Sequence, residues 1–464
     1  MASVVDVLSS LVDRSLVLAE EHEGRTRYRM LETVHAYASE QLDATGARAD
    51  LTERHLNHFV DLAERAGPEL TGPRQETWMR LLEVDQANIA ASLEGPHASD
   101  GRGLSLVAAV WQFWLKQGHL TRGRQYLGTA LNSRAGRPMA RARALHGAGA
   151  LAYEQNDVGA HRAANEEALR ISRQIGDSLG MAKSLNNLGT SAYGRRDFRD
   201  ALVNYEEALQ LFQAVGDRAG TAAALHNLGN LAWMQGRYDD ARGHYERSLA
   251  LRRDAEDGAG MASSLCNLGL IAHSQGDYVA ARDYLEESLV LARRLDRGTV
   301  VTALLNLGST AHAQGDGRAA QSSLEEGLAI ARDLGNPLVI ATFLERLGNL
   351  AFEEGDEEAT KRRYAEALRL FGAVEDHGSL ADIFKRFAAI HGQKHPPVSA
   401  RLSGKTSALL DALGSSPSAE WQAQLAATNA RARAALGEKE WDIAFEEGRQ
   451  MSLDDAIALA VGET

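Results

Sequence analysis

The chain has 464 residues, 44% hydrophobic and 24% charged, the balance of a globular protein, and no run reaches the ~18 apolar residues of a membrane span. Cys266 is the only cysteine, which excludes intrachain disulfides and multi-cysteine zinc sites; the start "MASVVDVLSS" shows neither the basic residues nor the small-residue cleavage site of a secretory signal, and a reducing cytoplasm is expected. A net charge of −13 argues against a broad surface that tracks nucleic-acid phosphates.

At the N-terminus, Val5, Leu8, Leu11 and Val12 fall on one face of a predicted helix. "SLVLAEE", "HEGRT" and "RYRML" then predict strand, turn at Gly24, and strand, and "ETVHAYASEQL" returns to helix. Helix, hairpin, helix is the second half of a winged helix. The order "LVDRSLV…RYRMLETVHAYASEQL" resembles the winged helix that follows the nucleotide-binding module of bacterial STAND-class signal-transduction ATPases, many of them LuxR-type or activator-type transcriptional regulators. The stretch "HLNHFVDLAERAGPEL…WMRLLEVDQANIAASL" resembles the connector that leads into their repeats. The resemblance implies a partial winged helix at 1–50 and a helical connector at 51–102. It starts in mid-domain at Met1, so the ATPase module and the first half of the winged helix are expected to be absent from this chain. Arg25, Arg27 and Arg29 on the wing supply an alternative reading, a DNA-associated regulator that touches nucleic acid itself. Glu20, Glu21 and Glu23 flank those arginines, and in that family this domain is mainly structural, so nucleic acid is not the expected partner.

The middle of the chain repeats itself. "SLNNLGTSAYGRRDFRDALVNYEEAL" (184–209) returns at 224–249, 264–289, 303–328 and 343–368, with weaker copies at 144–169 and 108–131. The central glycines are Gly149, Gly189, Gly229, Gly269, Gly308 and Gly348. Each unit predicts two helices: in the 224–249 copy Leu225, Leu228, Leu231 and Ala232 form one stripe, Gln235-Gly236 breaks it, and Tyr238, Ala241, Tyr245, Leu249 and Leu251 form the next. A glycine inside a helix costs about 1 kcal/mol against alanine. Six would cost ~6 kcal/mol, comparable with the ~5–15 kcal/mol net stability of a domain, so they are expected to admit a closely packed neighbour. Ala192, Ala232, Ala272, Ala311 and Ala351, three places on, widen the same strip.

The pattern "NLG…A…G-D-Y…A…Y-E-E-A-L" resembles the tetratricopeptide (TPR) family over roughly 103–392, with a period of about 40 in place of the usual ~34. Gly317, Thr360 and His161 depart from the family's aromatic or alanine positions. The resemblance implies an all-α, right-handed superhelix with helix A of each unit on the concave face. It places these groove positions six and three residues before the glycine and one and four after it. They include Lys183, Asn186, Thr190 and Tyr193; Ala223, His226, Asn230 and Trp233; Ser263, Cys266, Leu270 and His273; Thr302, Leu305, Ser309 and His312; Thr342, Glu345, Asn349 and Phe352. Beside them runs the amide column Asn187, Asn227, Asn267 and Asn306. Asparagine both donates and accepts, so the column either grips a peptide backbone or bonds the adjacent unit and locks the stack. The aromatic row Tyr153, Tyr193, Trp233 and Phe352 divides in the same way between inter-repeat core and ligand platform. One histidine per repeat (His226, His273, His312) is a poor chelate, and no metal or other cofactor is expected.

Residues 393–464 predict a helical cap. "RLSGKTSALL" contains Gly404-Lys405-Thr406, the end of a P-loop, but Ser399 stands where the upstream glycine must be and a Pro-containing linker replaces the preceding strand. Leu402, Thr406, Leu409, Leu410 and Leu413 instead make a helical face, with the three letters in its first turns. Ser418 is expected to cap a helix over 419–436, and Ser452 with Asp455 one over 453–461. Trp421, Trp441 and Phe445 are expected to bury against the last repeats. The chain stops at "ALAVGET", where many LuxR-type relatives continue into a helix-turn-helix, and none is expected here. The Glu pairs 166–167, 206–207, 286–287 and 325–326 recur with the repeat and read as solvated positions, and no motif supports a nucleophile with its base. The expectation is a non-enzymatic module of a signal-transduction or transcriptional regulator. It would bind a protein or peptide, or a small effector, through Asn186, Asn187, Tyr193, His226, Asn227, Asn230, Trp233, Asn267, His273, Asn306, His312 and Asn349.

Overall fold

The computed structural model describes residues 3–22, 25–71, 74–94, 101–392, 394–414 and 417–462. It divides into two units, Met1–Gly220 and Thr221–Thr464.

The first unit opens with α1 (Val4–Asp13), started by a capping box in which Ser3 and Asp6 each accept the other's backbone N–H. Strands β1 (Leu18–His22) and β2 (Arg25–Arg29) pair antiparallel, and α2 (Glu32–Thr45) completes the helix–hairpin–helix order. The predicted turn at Gly24 lies outside the described residues. The apolar stripe of α1 builds no core: Val5 is 67% exposed and Leu8, Leu11 and Val12 are half-buried. A lone two-stranded hairpin has too little surface to cover a helix face. The connector follows as α3 (Arg48–Ala66), a 3₁₀ turn (Gly67–Thr71), α4 (Gln75–Val84) and α5 (Gln86–Glu94). Its Leu56, Phe59, Leu70, Leu82 and Ile89 share one core with Val107, Phe113 and Trp114 of α6 (Arg102–Lys116). Helices α7 (Leu120–Asn132), α8 (Pro138–Glu154), α9 (Val158–Ile175), α10 (Ser178–Gly194) and α11 (Phe198–Val215) complete the unit.

Helix α12 (Arg218–Met234) begins in the first unit and runs into the second. There it is followed by α13 (Tyr238–Asp254), α14 (Gly258–Ser274), α15 (Tyr278–Ala292), α16 (Arg297–Ala313), α17 (Gly317–Leu334), α18 (Pro337–Glu354), α19 (Glu357–Ala373) and α20 (His377–His391). The cap comprises α21 (Pro396–Leu413), α22 (Ala419–Leu436), α23 (Glu438–Gln450) and α24 (Leu453–Val461). Apart from the one hairpin, the described residues of both units form helices, most of them in successive antiparallel pairs.

The turn inside each pair follows from two residues. A residue at positive φ ends helix A, and the Asp after it caps helix B by accepting the N–H three places on: Asn156-Asp157, Arg196-Asp197, Gly276-Asp277, Gly315-Asp316 and Gly355-Asp356. In the Gly236-Arg237 turn Arg237 stands in the Asp position and α13 has no side-chain cap. The central glycines obey a second rule. A Cβ on Gly189 would lie 2.6 Å from the Tyr205 ring, and on Gly348 2.5 Å from Tyr364. The same clash joins Gly149 to Asn165, Gly229 to Tyr245, Gly269 to Leu285 and Gly308 to Leu324. Every partner is the helix-B residue sixteen places on, so the glycine admits the neighbour that the sequence implied.

Gly404-Lys405-Thr406 lies in the middle of α21, further along than its first turns. A Cβ at Gly404 would sit 2.0 Å from the Phe445 carbonyl, and one at Gly448 1.9 Å from that of Arg401. Thr406 Oγ1 donates to the Leu402 carbonyl (2.8 Å) and Lys405 Nζ to that of Met451 (2.7 Å). The three letters make a helix crossing. Trp421 reaches the last repeat, its indole N–H donating to Asp382 while Lys385 Nζ stands 4.5 Å above the ring centroid. Trp441 and Phe445 do not: they pack with Ala400, Ala432 and Ala444 inside the cap, because α23 crosses α21 at those glycines. Cover for the repeats comes from Leu402, Leu409 and Ile457 against Phe371, Phe384 and Phe387.

Gly448→Ala should shift the urea midpoint down by the equivalent of ~3 kcal/mol. Gly243→Ala, where a Cβ would meet nothing within 4 Å, should raise it by ~0.5–1 kcal/mol. Arg237→Asp should add ~1 kcal/mol by supplying the missing cap, since the exposed Arg237–Asp240 pair it removes (2.7 Å) contributes less.

Candidate functional site: the helix-A face

In the first unit α8 and α10 present this face. Asn187 Nδ2 donates to Asn165 Oδ1 (3.0 Å) on α9, and its carbonyl accepts from His161 Nε2 (3.1 Å). The other ring nitrogen of His161 lies 2.9 Å from the Gly149 carbonyl, so a histidine in an alanine position touches two successive helices A, its single N–H serving one carbonyl at a time. Asn186 and Tyr193 lie half-buried beside Asn187, and the Tyr193 ring packs against Phe198 at 6.2 Å. Tyr153 is 51% exposed.

The second unit shows the same economy. Asn267 Nδ2 donates to Asn230 Oδ1 (3.1 Å) and lies 3.4 Å from His226 Nε2, joining α14 to α12. Asn230 also accepts the Tyr245 hydroxyl (2.6 Å), as Asn349 accepts that of Tyr364 (2.6 Å). In each pair the tyrosine that fills the glycine notch reaches the next residue of helix A. Asn306 donates to Cys266 Sγ (3.7 Å), His273 Nδ1 meets Thr310 Oγ1 (3.1 Å) and His312 Nε2 meets Glu353 Oε2 (2.7 Å). Burial pushes the Cys266 thiol up to about 11, so it is an inert neutral group. Asn227 and Phe352 are half-buried.

Two polar atoms on α12 stand apart. His226 Nδ1 and Trp233 Nε1 are buried without a hydrogen-bond partner, two helical turns from each other. Burial, and then the charge of Arg252, pushes His226 down to about 3, so its ring is neutral. Asn267 can donate to Nε2, which leaves the proton on the unpaired Nδ1.

The wing arginines are engaged. Arg27 pairs with Asp85 between α4 and α5, and Arg29 Nη2 with Glu20 (3.1 Å). Arg25's side chain lies outside the described residues. Two features were missed by sequence reasoning. The second Glu of each helix-B pair accepts an arginine from an earlier helix, as in Arg173–Glu207, Arg253–Glu287 and Arg293–Glu326 (3.7, 3.1 and 2.7 Å). The connector also lines, with α6, α8 and α10, an open cavity of ≈ 620 Å³. Its signal was present: among the six glycine-centred repeats, only those of Gly149 and Gly189 carry a cation six residues earlier, Arg143 and Lys183.

Residues 180–254 and 260–333 match the tetratricopeptide-repeat family profile. A Mycobacterium bovis protein that carries the name of an HTH-type transcriptional regulator, Mb0914c, is 35% identical over 191 residues, covering 38% of this chain and 21% of that protein. The Mycobacterium tuberculosis H37Rv protein of the same kind, Rv0890c, matches with the same figures. The chain thus spans about a fifth of these relatives' length. Among solved structures, a Rap protein complexed with Competence and Sporulation Factor aligns over 85% of this chain and 99% of its own, with a TM-score of 0.54 at 14% identity. The apo form of RapI aligns over 84% and 99%, with 0.50 at 12%. At such identities the likeness is one of fold. The helix pairs within residues 180–254 and 260–333 are tetratricopeptide repeats.

A histidine held neutral in the fold binds its proton only when unfolded, so its stability contribution is full above about pH 6.5 and falls as pH drops toward about 3. Unfolding free energy should therefore decline with acid by about 1.4 kcal/mol per pH unit for such a group. His226→Gln should flatten that slope in urea titrations at pH 7 and pH 5.

Proposed function

We propose that the chain is the tetratricopeptide interaction segment of a transcriptional regulator, and that its helix-A face holds a peptide or protein partner. One observation carries this: the buried, unpaired donors His226 Nδ1 and Trp233 Nε1 on α12. An unmade hydrogen bond at such a site costs ~1–3 kcal/mol, and a partner that supplies the missing acceptor would recover it. Partner carbonyls, reached by a small rotation of the rings, would satisfy both. Half-buried Asn227, Asn267 and Asn306 lie on the same face, and Asn267 and Asn306, which donate to Asn230 and Cys266, would exchange those bonds for a partner's carbonyls. The Rap protein of like fold is complexed with Competence and Sporulation Factor, and the mycobacterial relatives bear the names of HTH-type regulators; both support the reading. The finer placement, as the sensor half of a STAND-class, LuxR-type regulator acting in the cytoplasm, rests on the winged-helix and connector resemblance. Catalysis has no part in this proposal. Nor has DNA binding through the wing, since Arg27 and Arg29 already face Asp85 and Glu20.

The test is selection of binders from a displayed peptide library on the full chain, followed by affinity measurement on variants. Trp233→Phe removes one orphan donor and should leave the melting temperature equal or higher, yet weaken selected peptides about tenfold, ~1.4 kcal/mol. Asn227→Ala with Asn267→Ala should weaken them further. Peptides that bind wild type and all variants alike would refute the proposal, and a salt-sensitive shift of random duplex DNA would favour the wing instead.

A further inference from the structure

The cavity of ≈ 620 Å³ in the first unit has the size of a small-molecule site. It is lined by residues of the connector, α6, α8 and α10. Trp111, Met139, Leu179 and Pro68 give it apolar surface. Arg137, Arg143 and Lys183 stand around it with exposed side chains. None of these three cations has an ion-pair or hydrogen-bond partner among the described residues. Elsewhere in the chain arginines pair across repeats, as Arg173, Arg253, Arg293 and Arg332 do.

The cations also recur in register. Arg143 and Lys183 lie six residues before Gly149 and Gly189, so adjacent repeats place them side by side on the helix-A face. In the later repeats that position is Ala223, Ser263, Thr302 and Thr342. Their convergence shows at His146, which is buried, hydrogen-bonded to Ser184 (2.7 Å) and held down to about 4 by burial and then by Lys183 and Arg143. Of the two carboxylates on the lining, Asp177 is already used as the N-cap of α10, accepting from the Gly180 N–H (3.0 Å). Glu64 is the other. Three cations against these two leave an excess of positive charge beside apolar walls.

We propose that this cavity is an effector site for a small organic phosphate, with the dianionic head among Arg137, Arg143 and Lys183 and the apolar body against Trp111, Met139 and Leu179. A phosphate supplies close to two charges and three acceptor oxygens, which matches several donors better than a single carboxylate does, and arginine grips it bidentately. The site shares no residue with the proposed peptide contacts, so either can fail alone.

Calorimetric titration of the full chain with phenyl phosphate, inorganic phosphate and benzoate tests it. Phenyl phosphate should bind more tightly than inorganic phosphate, because only it uses the apolar walls, and more tightly than benzoate. Arg143→Gln with Lys183→Gln should weaken phenyl phosphate at least tenfold with an unchanged melting temperature, as both side chains are exposed and unpaired. Arg294→Gln, an exposed position outside the cavity, should change nothing. Absence of phenyl phosphate binding at low-millimolar concentration, equal binding of benzoate, or binding that survives the double substitution would each overturn the proposal.

Discussion

The structure rests on one contact: a glycine in helix A facing the residue sixteen places later in helix B. The missing side chain lets the two helices approach until a tyrosine, leucine or, at Gly149, an asparagine fills the notch. Because the offset is constant, each pair has the same internal geometry whatever else changes. The single 39-residue step, from Gly269 to Gly308, leaves both contacts intact at Leu285 and Leu324. The shortening therefore falls in the link, where α15 ends early at Ala292, and not in the pair. Where the partner is tyrosine, its hydroxyl goes on to bond the residue after the glycine, Thr190, Asn230 or Asn349. Packing and polar satisfaction are thus solved by one side chain.

That geometry sorts the surfaces. Positions on helix B that face water carry Glu and Arg one repeat apart, and each such pair contributes little to stability on its own. Their consequence is electrostatic: they neutralise those arginines locally along the helix-B surface. On helix A the amides bond neighbouring helices, Asn187 to Asn165 and Asn267 to Asn230, which keeps the face polar without leaving donors exposed to random partners. His226 and Trp233 break that rule on one helix.

The cap applies the same physics with different letters. Gly404 and Gly448 admit backbone to backbone between α21 and α23, a closer approach than any pair in the repeats. Lys405 and Thr406 then satisfy carbonyls that the crossing would otherwise strand. A three-letter match to a phosphate loop arises here because small, donor-bearing residues suit both tasks.

Much of this was legible in the sequence because it is local or periodic. Helix ends follow from Asp caps and positive-φ residues within four positions of each other, and the glycine register declares a close neighbour before the neighbour is known. The helix–hairpin–helix order of residues 4–45 was readable for the same reason. What the sequence could not decide is who meets whom across helices. Nothing local tells that Arg27 finds Asp85, that Trp441 and Phe445 turn into the cap while Trp421 turns to the last repeat, or that Asn187 spends its amide on Asn165. The connector's place beside Arg143 and Lys183 belongs to that class. Periodicity determines the repeated unit; the relative rotation and approach of packed helices, set by the summed contacts of many side chains, decides the cavities and the partners.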